Sequence, residues 1–227
     1  LRAKVRSLNA AKRNSLDGLS ILEVAEAGFQ ETSNMLIRLK QLAVQASSDT
    51  VGGTQRQYLD REFTTLKQEI DRISAAVEFN GVRLIGGHPN PPPNQMQGIP
   101  NNKTDYPLEF QIDSNYYEKA DAVTSHAPVN VVRFNTKNLV AYTSGHDSLN
   151  IGEGQDGARL NSKKAAHDSL AKLDFAIKRV NKHRSFLGST QNQLKHVLNV
   201  LDIKIESGME SGSRIADTDM AAESSQY

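Results

Sequence analysis

The sequence predicts a mainly α fold: an elongated helical bundle, or coiled-coil rod, built from N- and C-terminal arms around a small irregular centre that contains a β-hairpin. Three observations predict it. The first 47 residues contain no proline, and apolar or small residues recur there at helical spacing. A seam from Leu59 to Val77 steps by four, three, four, three and four. The same period returns near Asn161 and persists towards the end of the chain. Apolar residues make up 37% of the chain, below the roughly 45–50% of globular domains, a benchmark that also counts glycine. An elongated molecule with a thin core explains the shortfall, because periodicity sustained over such lengths argues against disorder.

The first arm, residues 1–87, opens with Val5, Leu8, Leu19, Leu22, Phe29, Leu36, Leu39, Ala43 and Ala46 on one helix face. A helix of about 46 residues is about 70 Å long at 1.5 Å per residue, so it needs neighbours along its whole length. Residues 47–54, rich in serine, threonine and glycine, break it. Leu59, Phe63, Leu66, Ile70, Ile73 and Val77 then form a coiled-coil seam on a second helix. The short link makes that helix an antiparallel partner of the first. Asn80-Gly81 supplies a turn with positive φ, and a short apolar run, Val82 to Ile85, follows.

The centre, residues 88–159, changes character. Gly86-Gly87, Pro89, Pro91-Pro92-Pro93, Gly98 and Pro100 exclude helix. Strands are expected near residues 108–112, 129–134 and 139–143, the last two flanking Asn135-Thr136-Lys137-Asn138 as a hairpin loop. A short helix is expected at 116–123 and a loop from Gly145 to Gly157.

The last arm, residues 160–227, carries Leu170, Leu173, Ile177, Val180, Leu187, Leu194, Leu198, Leu201 and Ile205 at helical steps. Gly188 costs that helix about 1 kcal/mol relative to alanine. Ser207-Gly208 and Ser211-Gly212-Ser213 are expected to interrupt it, with a last helix resuming at Ile215. Leu16, Ile21, Leu42, Phe175, Phe186, Val197 and Ile203 fall off the main seams. They either widen the intramolecular core or leave apolar surface for lateral association.

Little of this supports chemistry. Without cysteine, no disulfide or thiolate metal site forms. His88, His126, His146, His167, His183 and His196 make no HExxH pattern and no i, i+4 pair, so they are expected at the surface. Residues 152–157, Gly-Glu-Gly-Gln-Asp-Gly, lack the GK[ST] ending of a phosphate loop and read as a linker. There is no GxSxG, and Asp217 and Asp219 sit among serines as a solvated face. No enzyme, cofactor or metal is expected. Asn102-Lys103-Thr104 matches a glycosylation acceptor pattern that is common by chance.

Basic residues number 27 and acidic residues 26, so no bulk field points to nucleic acid or to membrane. No apolar run is long enough to span a bilayer. No signal peptide is visible, and both termini fall inside helical patterns, so the chain reads as cut at each end. Arg2, Lys4, Arg6, Lys12 and Arg13 open the chain, while Glu206, Glu210, Asp217, Asp219 and Glu223 lie near its end. With the outer helices antiparallel, these groups pair within or between subunits. Such pairs set register while adding about 0–1 kcal/mol each.

The residues themselves resemble one family. Leu8-Asn9-Ala10-Ala11-Lys12-Arg13-Asn14-Ser15-Leu16-Asp17-Gly18 and residues 38–46 are similar to the first core helix of bacterial flagellin. Glu69-Ile70-Asp71-Arg72-Ile73, with Glu78-Phe79-Asn80-Gly81-Val82, resembles its second helix and following turn. Leu187-Gly188-Ser189-Thr190-Gln191-Asn192 and Ser213-Arg214-Ile215-Ala216-Asp217-Thr218-Asp219 resemble its C-terminal segments. The resemblance spans residues 1–87 and 160–227.

The resemblance implies a subunit exported unfolded that polymerises with itself into the flagellar filament. An export chaperone and the filament cap are its implied partners. The chain would be a core fragment lacking the terminal polymerisation helices. It also implies that Arg38, Leu42, Gln45 and Glu62 form a surface shared between assembly and recognition by Toll-like receptor 5. The short centre suggests a thin filament, sheathed or periplasmic. A hook–filament junction protein is the nearest alternative. An amphipathic helical module binding lipid or a host receptor is the alternative of another class.

Overall fold

The computed structural model describes residues 2–86, 108–113, 131–134, 139–144, 148–152 and 157–216. Its elements are α1 (Arg2–Ser47), α2 (Gly53–Ala76), β1 (Glu78–Phe79), β2 (Val82–Arg83), β3 (Leu108–Gln111), β4 (Val131–Phe134) and α3 (Lys163–Ala216). The chain is thus mainly α, with small antiparallel two-stranded sheets. It divides into two compact units. One comprises Leu1–Ser20, Leu108–Phe134 and Thr190–Tyr227, the other Ile21–Pro107 and Asn135–Ser189.

In the larger unit, the predicted seams supply the core. Leu22, Phe29, Leu36, Leu39, Ala43 and Ala46 of α1 are buried together with Phe63 and Ile70 of α2 and Leu173, Val180 and Leu187 of α3. Each large side chain in that set contributes roughly 1.5–3 kcal/mol. Polar pairs fix the directions. Arg38 bonds Glu62, and Arg56 donates to the Ala46 carbonyl, so α2 runs antiparallel to α1. Glu26, Lys40 and Asp49 pair with Arg184, Asp174 and Lys163 in reverse order, so α3 is antiparallel to α1 as well.

At the start of α2, the Gly52 N–H donates to Gln55 Oε1 at 2.9 Å. This is half of a capping box, since glycine has no side chain to complete it. After α2, Asn80 (φ 50°) and Gly81 (φ 78°) both adopt positive φ and close the β1–β2 hairpin. That is the geometry for which Asn-Gly is favoured.

Segments 139–144 and 157–160 lie on this unit through side chains of α2, while 148–152 bonds the backbone of Tyr142 and Thr143 and takes Arg179 of α3 on the Ser148 carbonyl. Asp71 accepts the Thr143 N–H and hydroxyl, each at 2.7 Å. Asp60 accepts the Leu160 N–H at 2.7 Å, and the buried Lys67 ammonium donates to the Ala158 carbonyl at 3.0 Å. Gly86 bridges Val140. A Cβ on Gly86 would lie 3.1 Å from the Ser74 carbonyl oxygen, so this close approach of backbone to backbone favours glycine.

In the smaller unit, Leu8 and Ala11 pack on Leu201 and Ile205, with Val5 and Val197 beside them. β3 pairs antiparallel with β4, Leu108 opposite Phe134 and Gln111 opposite Val131. The Phe110 ring lies 3.1 Å from where a Cβ on Gly18 would stand, so α1 presents its smallest residue to the sheet. Lys12 pairs with Asp202 and Lys204 with Asp113. Among the described residues, Lys12 alone of the basic opening group has an ion pair across to α3. Glu210 bonds Arg214 one turn along its own helix.

Two expectations are corrected. The partner of β4 is β3 and not residues 139–143. The backbone of 139–143 is engaged elsewhere, with the Ala141 N–H on the Ile85 carbonyl and the Thr143 N–H on Asp71. Nor is there a break at Ser207-Gly208 or Ser211-Gly212-Ser213, because α3 runs unbroken for 54 residues. Each helical glycine costs only about 1 kcal/mol, too little to end a helix that is already nucleated over many turns. The expected helix at 116–123, the proline run and the 135–138 loop lie outside the described residues.

Candidate assembly and recognition surface

α1 turns Leu36, Leu39, Leu42, Ala43 and Ala46 inward, which leaves Asn34, Ile37, Arg38, Gln41, Val44 and Gln45 facing out. On α2 the same geometry turns Phe63 and Lys67 inward and Tyr58, Arg61, Glu62 and Thr65 outward. The antiparallel register then brings Arg38 and Glu62 together. The guanidinium donates from Nε at 3.0 Å and Nη2 at 2.6 Å, both to Glu62 Oε1. The side chains remain 52% and 43% exposed, so solvent screening holds the pair to about 0–1 kcal/mol. Its value is positional.

Gln45, seven residues after Arg38, is exposed on the same face. Arg38, Gln45 and Glu62 therefore form one accessible patch. Leu42 does not join it: it is 1% exposed and belongs to the core. It lies beside the seam of Leu39, Ala43 and Ala46 and is buried with them. In its place the surface holds apolar residues that the sequence reading did not single out, namely Ile37, Val44 and Tyr58. Arg61 lies over the Tyr58 ring, its guanidinium carbon 6.0 Å from the centroid. Ile37 and Val44 stand seven residues apart outside the core seam, a signal present in the sequence.

The off-seam apolar residues divide. Ile21 and Leu42 are buried and Val197 is partly buried, which widens the core. Leu16, Phe175, Phe186 and Ile203 are exposed.

His183 departs from the surface placement expected for histidines. It stacks on Phe29 with ring centroids 5.4 Å apart, and its Nε2 is buried without a hydrogen-bond partner. Burial, then the nearby Arg179 and Lys182 charges, pushes its pKa down to about 4. Beside it on α3, Arg184 holds Glu26 Oε1 while Glu26 Oε2 is buried and unpaired. His167 and His196 are exposed, and the other three lie outside the described residues. Among the described residues no group of three or more acidic or histidine side chains is disposed to hold a metal ion. No described helix is long and apolar enough to cross a membrane.

Comparison with known proteins matches both arms. The bacterial flagellin N-terminal helical region matches residues 1–89, and the bacterial flagellin C-terminal helical region matches residues 170–227. Flagellin FlaB2 of Treponema pallidum (strain Nichols) is 32% identical over all of this chain and 72% of its own length. Flagellin of Bacillus subtilis (strain 168) is 31% identical over all of this chain and 74% of its own. The flagellar filament 33 kDa core protein of Treponema phagedenis is 28% identical over the same share of this chain. Among solved structures, Bacillus cereus flagellin superposes with a TM-score of 0.57 at 29% identity, covering 83% of this chain and 88% of that one.

Proposed function

Because the chain belongs to the bacterial flagellin family, we propose that the face carrying Arg38, Gln45 and Glu62 is one of the contacts through which it assembles. The chain is a structural subunit of the bacterial flagellar filament. The names of its relatives, flagellin and flagellar filament core protein, favour that role over a hook–filament junction protein or a lipid- or receptor-binding module.

One observation carries the assignment of the face. The core beneath it is filled by Leu39, Leu42, Ala43 and Ala46, yet Ile37, Val44 and Tyr58 stay outside beside an exposed ion pair. Apolar surface rimmed by charge in this way suits the docking of another protein surface. Seeded filament growth tests it. The unsubstituted full-length protein extends seeds, whereas Val44→Asp binds the growing end about tenfold more weakly, as a 1.4 kcal/mol loss requires, at unchanged helicity. Equal growth of the two refutes the assignment.

The same face, on the family resemblance, serves Toll-like receptor 5 when the subunit is free, with Arg38, Gln45 and Glu62 in contact and Leu42 supporting them from below. Titration of the receptor ectodomain with the monomer and with Arg38→Ala tests this; a monomer that fails to bind removes it. The resemblance adds an export chaperone and the filament cap as partners, to be sought by co-purification with each. The short centre, residues 88–159, supports a thin filament that is sheathed or periplasmic, which electron microscopy of cells decides.

A further inference from the structure

Two exposed helix faces in the larger unit are chemically opposite. On α3, Phe175, Lys178, Lys182 and Phe186 follow one another at steps of three and four and so share a face. Phe175 is 55% exposed and Phe186 45%, and neither lysine has an ion-pair partner among the described residues. On α1, Glu23, Val24, Ala27 and Glu31 are exposed on the side away from the buried Leu22, Ala25 and Phe29. Neither glutamate has an ion-pair partner among the described residues.

A basic face opposes charge to like charge when it meets its own copy, and so does an acidic one. Each disfavours a symmetric dimer and suits the other face instead. A contact between two different faces is heterologous, and such contacts propagate into rings or filaments instead of pairing off. We infer that the α3 face with Phe175 and Phe186 is a lateral contact for a second copy of this chain, which presents the α1 face with Glu23 and Glu31. This rests on the reading of the chain as a filament subunit.

The two faces lie at one level of the paired helices. Glu26, between Glu23 and Glu31, receives Arg184, which adjoins Lys182. A copy standing alongside therefore brings Lys182 near Glu31 with little axial displacement. From Phe175 to Phe186 the face is about 17 Å long and one helix wide. That is far below the roughly 800 Å² per partner of a standard interface. A single contact does not hold a dimer; it counts when repeated through a lattice.

Charge exchange in the full-length protein tests the inference by seeded growth. The doubly substituted Lys178→Glu/Lys182→Glu and Glu23→Lys/Glu31→Lys proteins each extend filaments about tenfold more slowly, while the protein carrying all four substitutions recovers most of the loss. All four substituted side chains are on the surface, so circular dichroism and melting of the monomers stay as in the parent. A second measurement uses the absence of cysteine: a mixture of Lys182→Cys and Glu31→Cys subunits, oxidised after growth, yields heterodimers. Reversals that leave growth unchanged, or filaments without that cross-link, overturn the contact and leave the subunit reading intact. Failure of the unsubstituted protein to extend seeds overturns both.

Discussion

Lowering the pH from 7 to 4 should cost this protein stability through His183 in particular. The unfolded chain binds a proton at this residue near pH 6.5, whereas the folded chain, with the ring on Phe29 and the Arg179 and Lys182 charges nearby, binds one only near pH 4. Between those values the unfolded state holds the extra proton, so stability falls as the pH falls through the window. At 1.36 kcal/mol per pH unit the gap corresponds to about 3 kcal/mol. Solvent reaches part of the ring, and its screening reduces the effect to about 1–2 kcal/mol.

The assay is urea or thermal unfolding of the monomer at pH 7, 6, 5 and 4, followed by helical circular dichroism, for the parent and for His183→Gln. Acidic groups elsewhere contribute to both proteins, so the difference between the two curves isolates this residue. The parent should lose about 1–2 kcal/mol more than the variant, or about 2–8 °C in melting temperature for a chain of this size. Parallel pH dependences for parent and variant would refute the reasoning, and so would a parent that gains stability relative to the variant on acidification.

Leu42→Ala empties a core position and should destabilise the monomer by about 2–5 kcal/mol, whereas the exposed Gln45→Ala stays within about 0.5 kcal/mol. Chemical denaturation of both variants checks the contrast. Asp71→Ala removes the acceptor of both Thr143 bonds and should cost about 1–3 kcal/mol. Hydrogen exchange should then quicken at Thr143, Leu149 and Ile151 before it does in the helices. Gly28→Ala brings a Cβ to 2.8 Å from Ile85 Cδ1 and 2.9 Å from Val77 Cγ2. The overpacking, about 1–3 kcal/mol, exceeds the helix-propensity gain. Gly188→Ala meets nothing within 4 Å and should stabilise α3 by up to about 1 kcal/mol, which thermal melting of the pair would show.

The helices were legible because burial of one face forces a period that composition alone does not hide. Leu59, Phe63, Leu66, Ile70, Ile73 and Val77 announce α2, and Asn80-Gly81 announces the turn after it. What stayed illegible depends on partners distant in sequence. Asp60 and Asp71 each hold the backbone of a segment far along the chain, a role that the sequence reading assigned to neither. No local pattern marks such a role, and so residues 139–143 were paired with the wrong strand. Gly208 resembled a breaker because its neighbour is invisible in sequence: a Cβ there would lie 3.0 Å from Val5 Cγ2, so a small residue suits the close approach of α1.

Within the candidate surface, Arg38, Gln45 and Glu62 were found through family motifs, and their meeting needed only the antiparallel turn. Leu42 shows where the motif alone misleads: it falls off the main seam, yet it is buried and widens the core instead of joining the surface. His183 carried no signal, since its stacking partner Phe29 sits on the opposite arm of the chain.

The bridge between Gly86 and Val140 has a consequence for how this protein can change. Two positions far apart in sequence are tied there at one point of the larger unit, like a cord drawn through one eyelet. Closing a flexible loop costs only about 0.6 kcal/mol more for each doubling of its length. With those two positions stitched together, insertions or deletions in the sequence between them should leave the helices of that unit in register, at a closure cost that grows only logarithmically with length. Diversity is cheap on one side of the eyelet and expensive on the other, so drift in this lineage should accumulate in the cord and spare the cloth.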